Sequence, residues 1–259
     1  MEKTHLVSKV LIVLTAMLCL PVQSLHADEN LKIVVFGASG RLGDVIVDEA
    51  LERGYEVIGV SRNPEKLPFT HKNFTARKGD MMDVTSIKEL ARDAGAIVIS
   101  ISAKAPDNRP ENSVIVPATK NVIEALSQLE NKPYIVQMGS ANLMYGSTFE
   151  EISKNMKNAP FPFEEGTVMY AVLIGHQMSL ESYRESNLDW TIIAPPMKVM
   201  GIYKEPDKVS TKASYRTSTS GPLVDAEGNK TIYVRDLAKA TINEIEDRKF
   251  VGQVFTVGY

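Results

Sequence analysis

Three glycines in seven residues, Gly37, Gly40 and Gly43, are the part of this chain whose types and spacing could do chemistry. A phosphodiester chain brought against a protein must meet backbone N–H groups without a side chain in the way. Such groups come free at a helix N-terminus, where the helix dipole also favours negative charge. In Gly37-Ala38-Ser39-Gly40-Arg41-Leu42-Gly43, Gly37 allows a tight turn and Gly40 removes a Cβ that would strike phosphates. Gly43 lets helix and strand approach closely. Ser39, Arg41 and Leu42 complete the set that would contact a dinucleotide pyrophosphate. The competing reading is a βα turn that is merely rich in glycine.

The elements needed to position this loop are present. Leu31 to Phe36 is a short apolar run rich in β-branched residues, as expected of a strand buried on both faces. Leu42, Val45, Ile46, Ala50 and Leu51 then recur at helical spacing, with Gly54 as a C′ residue, and Glu56 to Val60 is a second strand. A glycine pattern that ends a strand and opens a helix has the context of a dinucleotide site. The second strand runs out into Ser61-Arg62-Asn63-Pro64, without the acid that usually holds an NAD ribose 2′-hydroxyl. Arg62 would bind a 2′-phosphate through charge-assisted hydrogen bonds, with Ser61 and Arg41 in support, so NADP is favoured over NAD. The competing reading makes Arg62 a solvated surface charge.

Further along, Asn73 to Lys78 reads as a third strand. The loop Gly79 to Asp83 follows, with Asp80 and Met81 placed to flank an adenine. That loop is equally a plain turn with Asp83 or Thr85 as helix cap, and Met81 with Met82 equally core filler. Ser86 to Glu89 has the pattern of a capping box. Ala96 to Ser100 is a fourth strand whose exit, Ser100-Ile101-Ser102, should pass a nicotinamide ribose, because ligands of open α/β sheets lie beyond the carboxyl ends of the strands. A helix over 112–129 and a fifth strand, Tyr134 to Met138, precede Gly139 and Ser140. A polar segment reaches Glu165, a helix runs to Ser186, and a sixth strand ends at Pro195. Gly139, Ser140 and Pro195 are further cofactor-contact candidates. Residues 197–232 are expected to wall a substrate cleft, with a hairpin across Leu223 to Ile232. Asp236 would cap a last helix, and Phe250 to Val257 would close the sheet. The alternation predicts an α/β fold, a Rossmann-type doubly wound parallel sheet with helices on both faces.

The chain has 259 residues, 44% apolar and 24% charged, with a formal charge of −3 and no long basic run; nucleic acid is excluded as a partner. Residues 1–27 have the form of a secretory signal peptide: Lys3 and Lys9, an apolar run from Val10 to Leu20, and a polar stretch ending at Ala27. The small-x-small cleavage rule is half met, since Leu25 takes the third position before the cut. The alternatives are an uncleaved anchor or a misplaced start. Processing would remove Cys19, the sole cysteine, and leave 28–259 as one exported domain, periplasmic or secreted, with no stable membrane span; unprocessed, the chain would stay cytoplasmic. His5, His26, His71 and His176 show no ligand spacing, so no metal is expected. A monomer or homodimer acting on a small molecule fits this organisation.

These residues carry a family resemblance. GASGRLG after the first strand, SRNPEKL after the second, GD after the third and LDWTIIAPP at the sixth resemble the atypical short-chain dehydrogenase/reductases. The tail, LVDAEGNKTIYVRDLAKATINEI and VFTVGY, is similar to the bacterial group described as NADH-flavin reductases, which share their fold with biliverdin-IX-beta reductases and NmrA-like regulators. The resemblance covers nearly everything after residue 30. It implies a nicotinamide cofactor and, as acceptor, a flavin or other flat conjugated molecule. Standard members also use a Ser with a Tyr-x-x-x-Lys pair. Ser140 stands in the Ser position and Tyr170 in the Tyr position, but Ile174 occupies the place of the Lys. Without that cation Tyr170 is a poor acid or base at neutral pH and reads better as a pocket wall. His176 reads as a helix residue with a satisfied hydrogen bond. The implied functions are a reductase without the Tyr-Lys pair, an NADP-binding redox sensor of the NmrA type, or, last, a sugar-nucleotide epimerase or dehydratase.

Overall fold

The first strand shows why the chain folds in layers. In a computed structural model, β1 (Lys32–Phe36) has Ile33, Val34 and Val35 at 0% exposure. Alternate residues point to opposite faces of a strand. Ile33 and Val35 join one core with Val45, Ile46 and Ala50 of α1 (Arg41–Glu52) and Leu237 and Ile242 of α6 (Val234–Asp247). Val34 and Phe36 join a second core with Ile87 of α2 (Val84–Ala91), Val122 and Leu126 of α3 (Ile115–Ser127) and Leu180 of α5 (Val168–Arg184). The structure describes residues 31–146, 149–156, 164–203, 206–212 and 214–259. The leader expected over 1–27 lies outside them.

The remaining strands are β2 (Glu56–Ser61), β3 (Phe74–Lys78), β4 (Ala96–Ile99), β5 (Tyr134–Met138), β6 (Trp190–Ile193), β7 (Lys198–Met200), β8 (Arg216–Ser218), β9 (Thr231–Tyr233) and β10 (Gln253–Gly258), and a short α4 spans Phe149–Asn155. The main sheet has the order β3-β2-β1-β4-β5-β6-β10-β8. All its pairs are parallel except β10 with β8. This is the doubly wound α/β fold the alternation predicts. Strand order reverses beside β1, which has β2 on one side and β4 on the other, so a crevice opens beyond their carboxyl ends.

Local expectations fail where a tertiary partner outbids a local signal. Leu223 to Ile232 makes no hairpin. A turn closes between Asp225 and Asn229, and β9 then pairs in parallel with β7, some thirty residues earlier. Asp236 does not cap α6, which starts at Val234. Its carboxylate is fully buried in the first turn and accepts from the Lys212 amide at 2.9 Å and from the hydroxyls of Thr211 and Tyr259. Ser86 opens no capping box. Asp83 is the cap of α2, accepting from the Thr85 and Ser86 amides at 2.9 and 3.2 Å.

Candidate functional site

The glycine loop joins β1 to α1 across the crevice. Gly37 has φ +84°, a conformation side chains avoid, and a Cβ there would lie 2.2 Å from the Ser100 carbonyl oxygen at the end of β4. A Cβ on Gly43 would lie 2.1 Å from the Gly37 carbonyl oxygen. The loop is therefore pressed against β4 on one side and α1 on the other. The Gly40 amide donates to the Gly37 carbonyl at 2.8 Å, which closes the turn. Gly40 is also the N-cap of α1 and has no side chain to offer, whereas α2 and α5 are capped by the side chains of Asp83 and Thr167. The first-turn amides of α1, Arg41, Leu42 and Gly43, have no intrahelical acceptor. An uncapped helix start beneath a loop with glycine at 37, 40 and 43 fits an anionic diphosphate in geometry and charge. Of the candidate residues here, Ser39 and Arg41 are exposed and Leu42 half-buried.

The end of β2 is tied to this loop. The Ala38 amide donates to the Val60 carbonyl at 3.3 Å, and the Ser61 hydroxyl donates to Ser39 Oγ at 3.2 Å. Arg62 follows, exposed, and the register sets Lys78 of β3 beside Ser61. The ends of β2 and β3 thus present two hydroxyls, Ser39 and Ser61, and two cations, Arg62 and Lys78, with no carboxylate at the end of β2. Lys78 is a candidate that reading β2 alone misses. Asp80 makes a turn, accepting from the Met82 amide at 3.0 Å. Met81 is buried in the second core, and its carbonyl accepts from the Asn121 side chain at 3.0 Å.

The other half of the crevice lies over the ends of β4, β5 and β6. The Ser100 amide donates to the Phe36 carbonyl at 2.9 Å, and Ile101 lies against the glycine loop while Ser102 is exposed. The Gly139 amide donates to the Ile193 carbonyl at 2.8 Å, bringing Ser140 and Pro195 to neighbouring strand ends. A shallow hollow, open to solvent, follows, walled by Met144, Pro195, Pro196, Met197 and Leu223. Tyr145 and Lys230 line it too, and the Lys230 ammonium donates to the Tyr145 hydroxyl at 2.8 Å while sitting 4.9 Å from its ring centre. Eighty-five residues separate the two, and no local pattern links them.

Tyr170 is half-buried in the first turn of α5 and does not line this hollow. Burial and the charge of Glu165 push its phenol upward, away from neutral pH. His176 corrects an expectation. It is buried, its Nδ1 has no hydrogen-bond partner, and burial lowers its imidazole to about 4, so it is neutral at pH 7. Among the described residues no group of three or more His, Cys, Asp or Glu is placed to hold a metal ion, and no helix is long and apolar enough to cross a membrane.

Comparison with known proteins agrees with this geometry. The sequence model of the NAD(P)H-binding family matches residues 37–248. The uncharacterized Bacillus subtilis protein YwnB is 25% identical over 229 residues, which is 88% of this chain and 98% of YwnB. The crystal structure of a Burkholderia pseudomallei protein provisionally described as exported is 26% identical with a TM-score of 0.70, covering 88% of this chain and 100% of that one. A Streptococcus pneumoniae protein provisionally named an NADH-flavin reductase shares the fold, with a TM-score of 0.69 at 20% identity over 88% of this chain and 99% of its own.

Proposed function

The chain belongs to the NAD(P)H-binding family, and from that premise we propose that it is an oxidoreductase of the atypical short-chain dehydrogenase/reductase kind, passing hydride from NADPH to a flavin- or quinone-like acceptor. The observation that carries the reading is the uncapped start of α1 under the Gly37–Gly43 loop, facing the crevice between β1 and β4. Arg41, Leu42 and Gly43 would hold the diphosphate through backbone amides. Ser39, Ser61 and Arg62 would hold the 2′-phosphate, Asp80 and Met81 flank the adenine, and Ser100 to Ser102, Gly139, Ser140 and Pro195 line the nicotinamide end. When bound, the cofactor supplies a hydride from C4 of its reduced ring. The chain supplies position: an apolar, proline-walled hollow beside that end, where a flat acceptor can stack. Tyr170 lies outside this hollow, and with its phenol raised and Ile174 in place of a cation it takes no part as an acid or base.

The resemblance in sequence and the name of the Streptococcus pneumoniae neighbour support a flavin among the acceptors. Purified protein mixed with NADPH and FMN or a quinone should lose absorbance at the nicotinamide band. Tight NADPH binding with no oxidation by any acceptor would replace this reading with that of an NADP redox sensor. Export with cleavage near Ala27 is part of the proposal, supported by the leader pattern and by the similar protein described as exported. Mass spectrometry of the N-terminus of protein from the native cell checks it, and an intact Met1 would refute it.

A further inference from the structure

Tyr145 and Lys230 form a cation–phenol pair inside the hollow, and neither belongs to the Tyr170 helix. Tyr145 is firmly placed. Its ring packs on a small core made by Ile152, Met156 and Leu173, and its amide donates to the Asn142 carbonyl at 2.9 Å. Segments on both sides thus fix the phenol, leaving its hydroxyl pointed at Lys230. The pair sits one turn beyond Ser140 and shares the hollow with Pro195, at the crevice end where the nicotinamide is placed above. The other walls, Met144, Pro196, Met197, Pro222 and Leu223, offer apolar surface and no titratable group.

We infer that the acceptor is a quinone, stacked on the proline- and methionine-lined walls, and that Tyr145, with Lys230 hydrogen-bonded to it, gives the proton that completes its reduction. This rests on the functional reading above. A quinone that has gained a hydride carries one negative charge on oxygen and needs one proton to become a hydroquinone. That proton leaves Tyr145 Oη for the quinone oxygen. The nicotinamide C–H bond is the one broken, NADPH is oxidised to NADP+ and the quinone is reduced. The phenolate left behind is stabilised by the Lys230 ammonium and regains its proton from solvent. A flavin spreads the same charge over its own rings and has less use for such a donor. Lys230 is a positioning residue here, and Tyr145 the catalytic one.

The test uses purified protein, NADPH and menadione, with Tyr145→Phe, Lys230→Met and Lys230→Arg. Both Tyr145→Phe and Lys230→Met should lower kcat roughly a hundredfold, with NADPH affinity and melting temperature unchanged, and Lys230→Arg should restore much of the loss. A second readout needs no cofactor: calorimetric binding of 2-hydroxy-1,4-naphthoquinone, whose anion mimics the charged intermediate, should weaken several-fold in Lys230→Met. If the wild type reduces menadione and the variants match it, the inference is overturned and the functional reading stands. If the wild type binds NADPH but oxidises it with no acceptor, the functional reading falls and the inference falls with it; equal naphthoquinone binding by wild type and Lys230→Met, with menadione still reduced, overturns the inference alone. Lys230 is exposed, so its variants remain informative should Tyr145→Phe fail to fold.

Discussion

At the scale of single residues, choice of cofactor comes down to what stands at the end of β2. Ser61 is hydrogen-bonded to Ser39, Arg62 projects into solvent just beyond, and no acid is present to repel a phosphate. A hydrogen bond to a charged group contributes about 1.5–3 kcal/mol. Arg62→Ala should therefore weaken NADPH by roughly tenfold to a hundredfold and leave NADH within about twofold, read by calorimetry with both cofactors. Equal losses for the two would show that Arg62 does not read the 2′-phosphate. Glycines and a missing acid are legible in the sequence because each acts on its own immediate backbone. Tyr145 and Lys230 are not, because a loop tyrosine and a turn lysine acquire meaning only when β5 and the segment before β9 come together.

At the scale of elements, α3, β5 and α5 are joined by a buried polar network. Thr119 Oγ1 lies 2.6 Å from Ser179 Oγ, Gln137 Nε2 donates to Ser179 Oγ at 2.8 Å, and the Tyr183 hydroxyl donates to Gln137 Oε1 at 2.9 Å. All four residues are at 0% exposure. Gln137 stands in the middle of a strand that otherwise reads as plain apolar core, and it satisfies two helices at once. Gln137→Leu should destabilise the fold by about 1–3 kcal/mol by leaving buried hydroxyls without partners, measured by urea denaturation. A change under about 0.5 kcal/mol would mean that the network relaxes onto other acceptors. Elements with strong local signals, β1 to β6 with α1, α2, α3 and α5, come out of the sequence within a few residues of their ends, whereas α4 lies in a stretch that reads only as a polar segment. The failures are instructive. Glu227-Gly228-Asn229 does turn the chain, but turn chemistry does not say which strand β9 will meet. Asp236 has the residue type of a cap, and three donors from distant segments claim its carboxylate instead.

At the scale of the whole molecule, His176 ties global stability to pH. Its folded imidazole titrates at about 4 because burial disfavours the charged form, against an ordinary value near 6.5. The unfolded chain thus takes up a proton that the folded chain refuses. Stability is full above about pH 6.5 and falls as pH drops toward 4, by up to roughly 3 kcal/mol from this one group. Replacing His176 with Gln should flatten the pH dependence of stability across that window, followed by denaturant midpoints at pH 7, 6, 5 and 4. Parallel curves for the two proteins would show that the imidazole does not drive the acid sensitivity. The sequence shows where this histidine sits on its helix. It does not show that the ring faces a core with no acceptor for Nδ1.

The two outermost strands of the main sheet carry a consequence for assembly. On β3, Thr75, Ala76, Arg77 and Lys78 are all exposed, so that border presents two adjacent cations. On the opposite border β8 is three residues long, and Arg216 turns its guanidinium onto the carbonyls of Val224 and Tyr259. Charged and truncated borders discourage one sheet from continuing into the next. A second copy of this chain should therefore meet the first through helix faces, and a crowded solution of it should resist ribbon-like stacking.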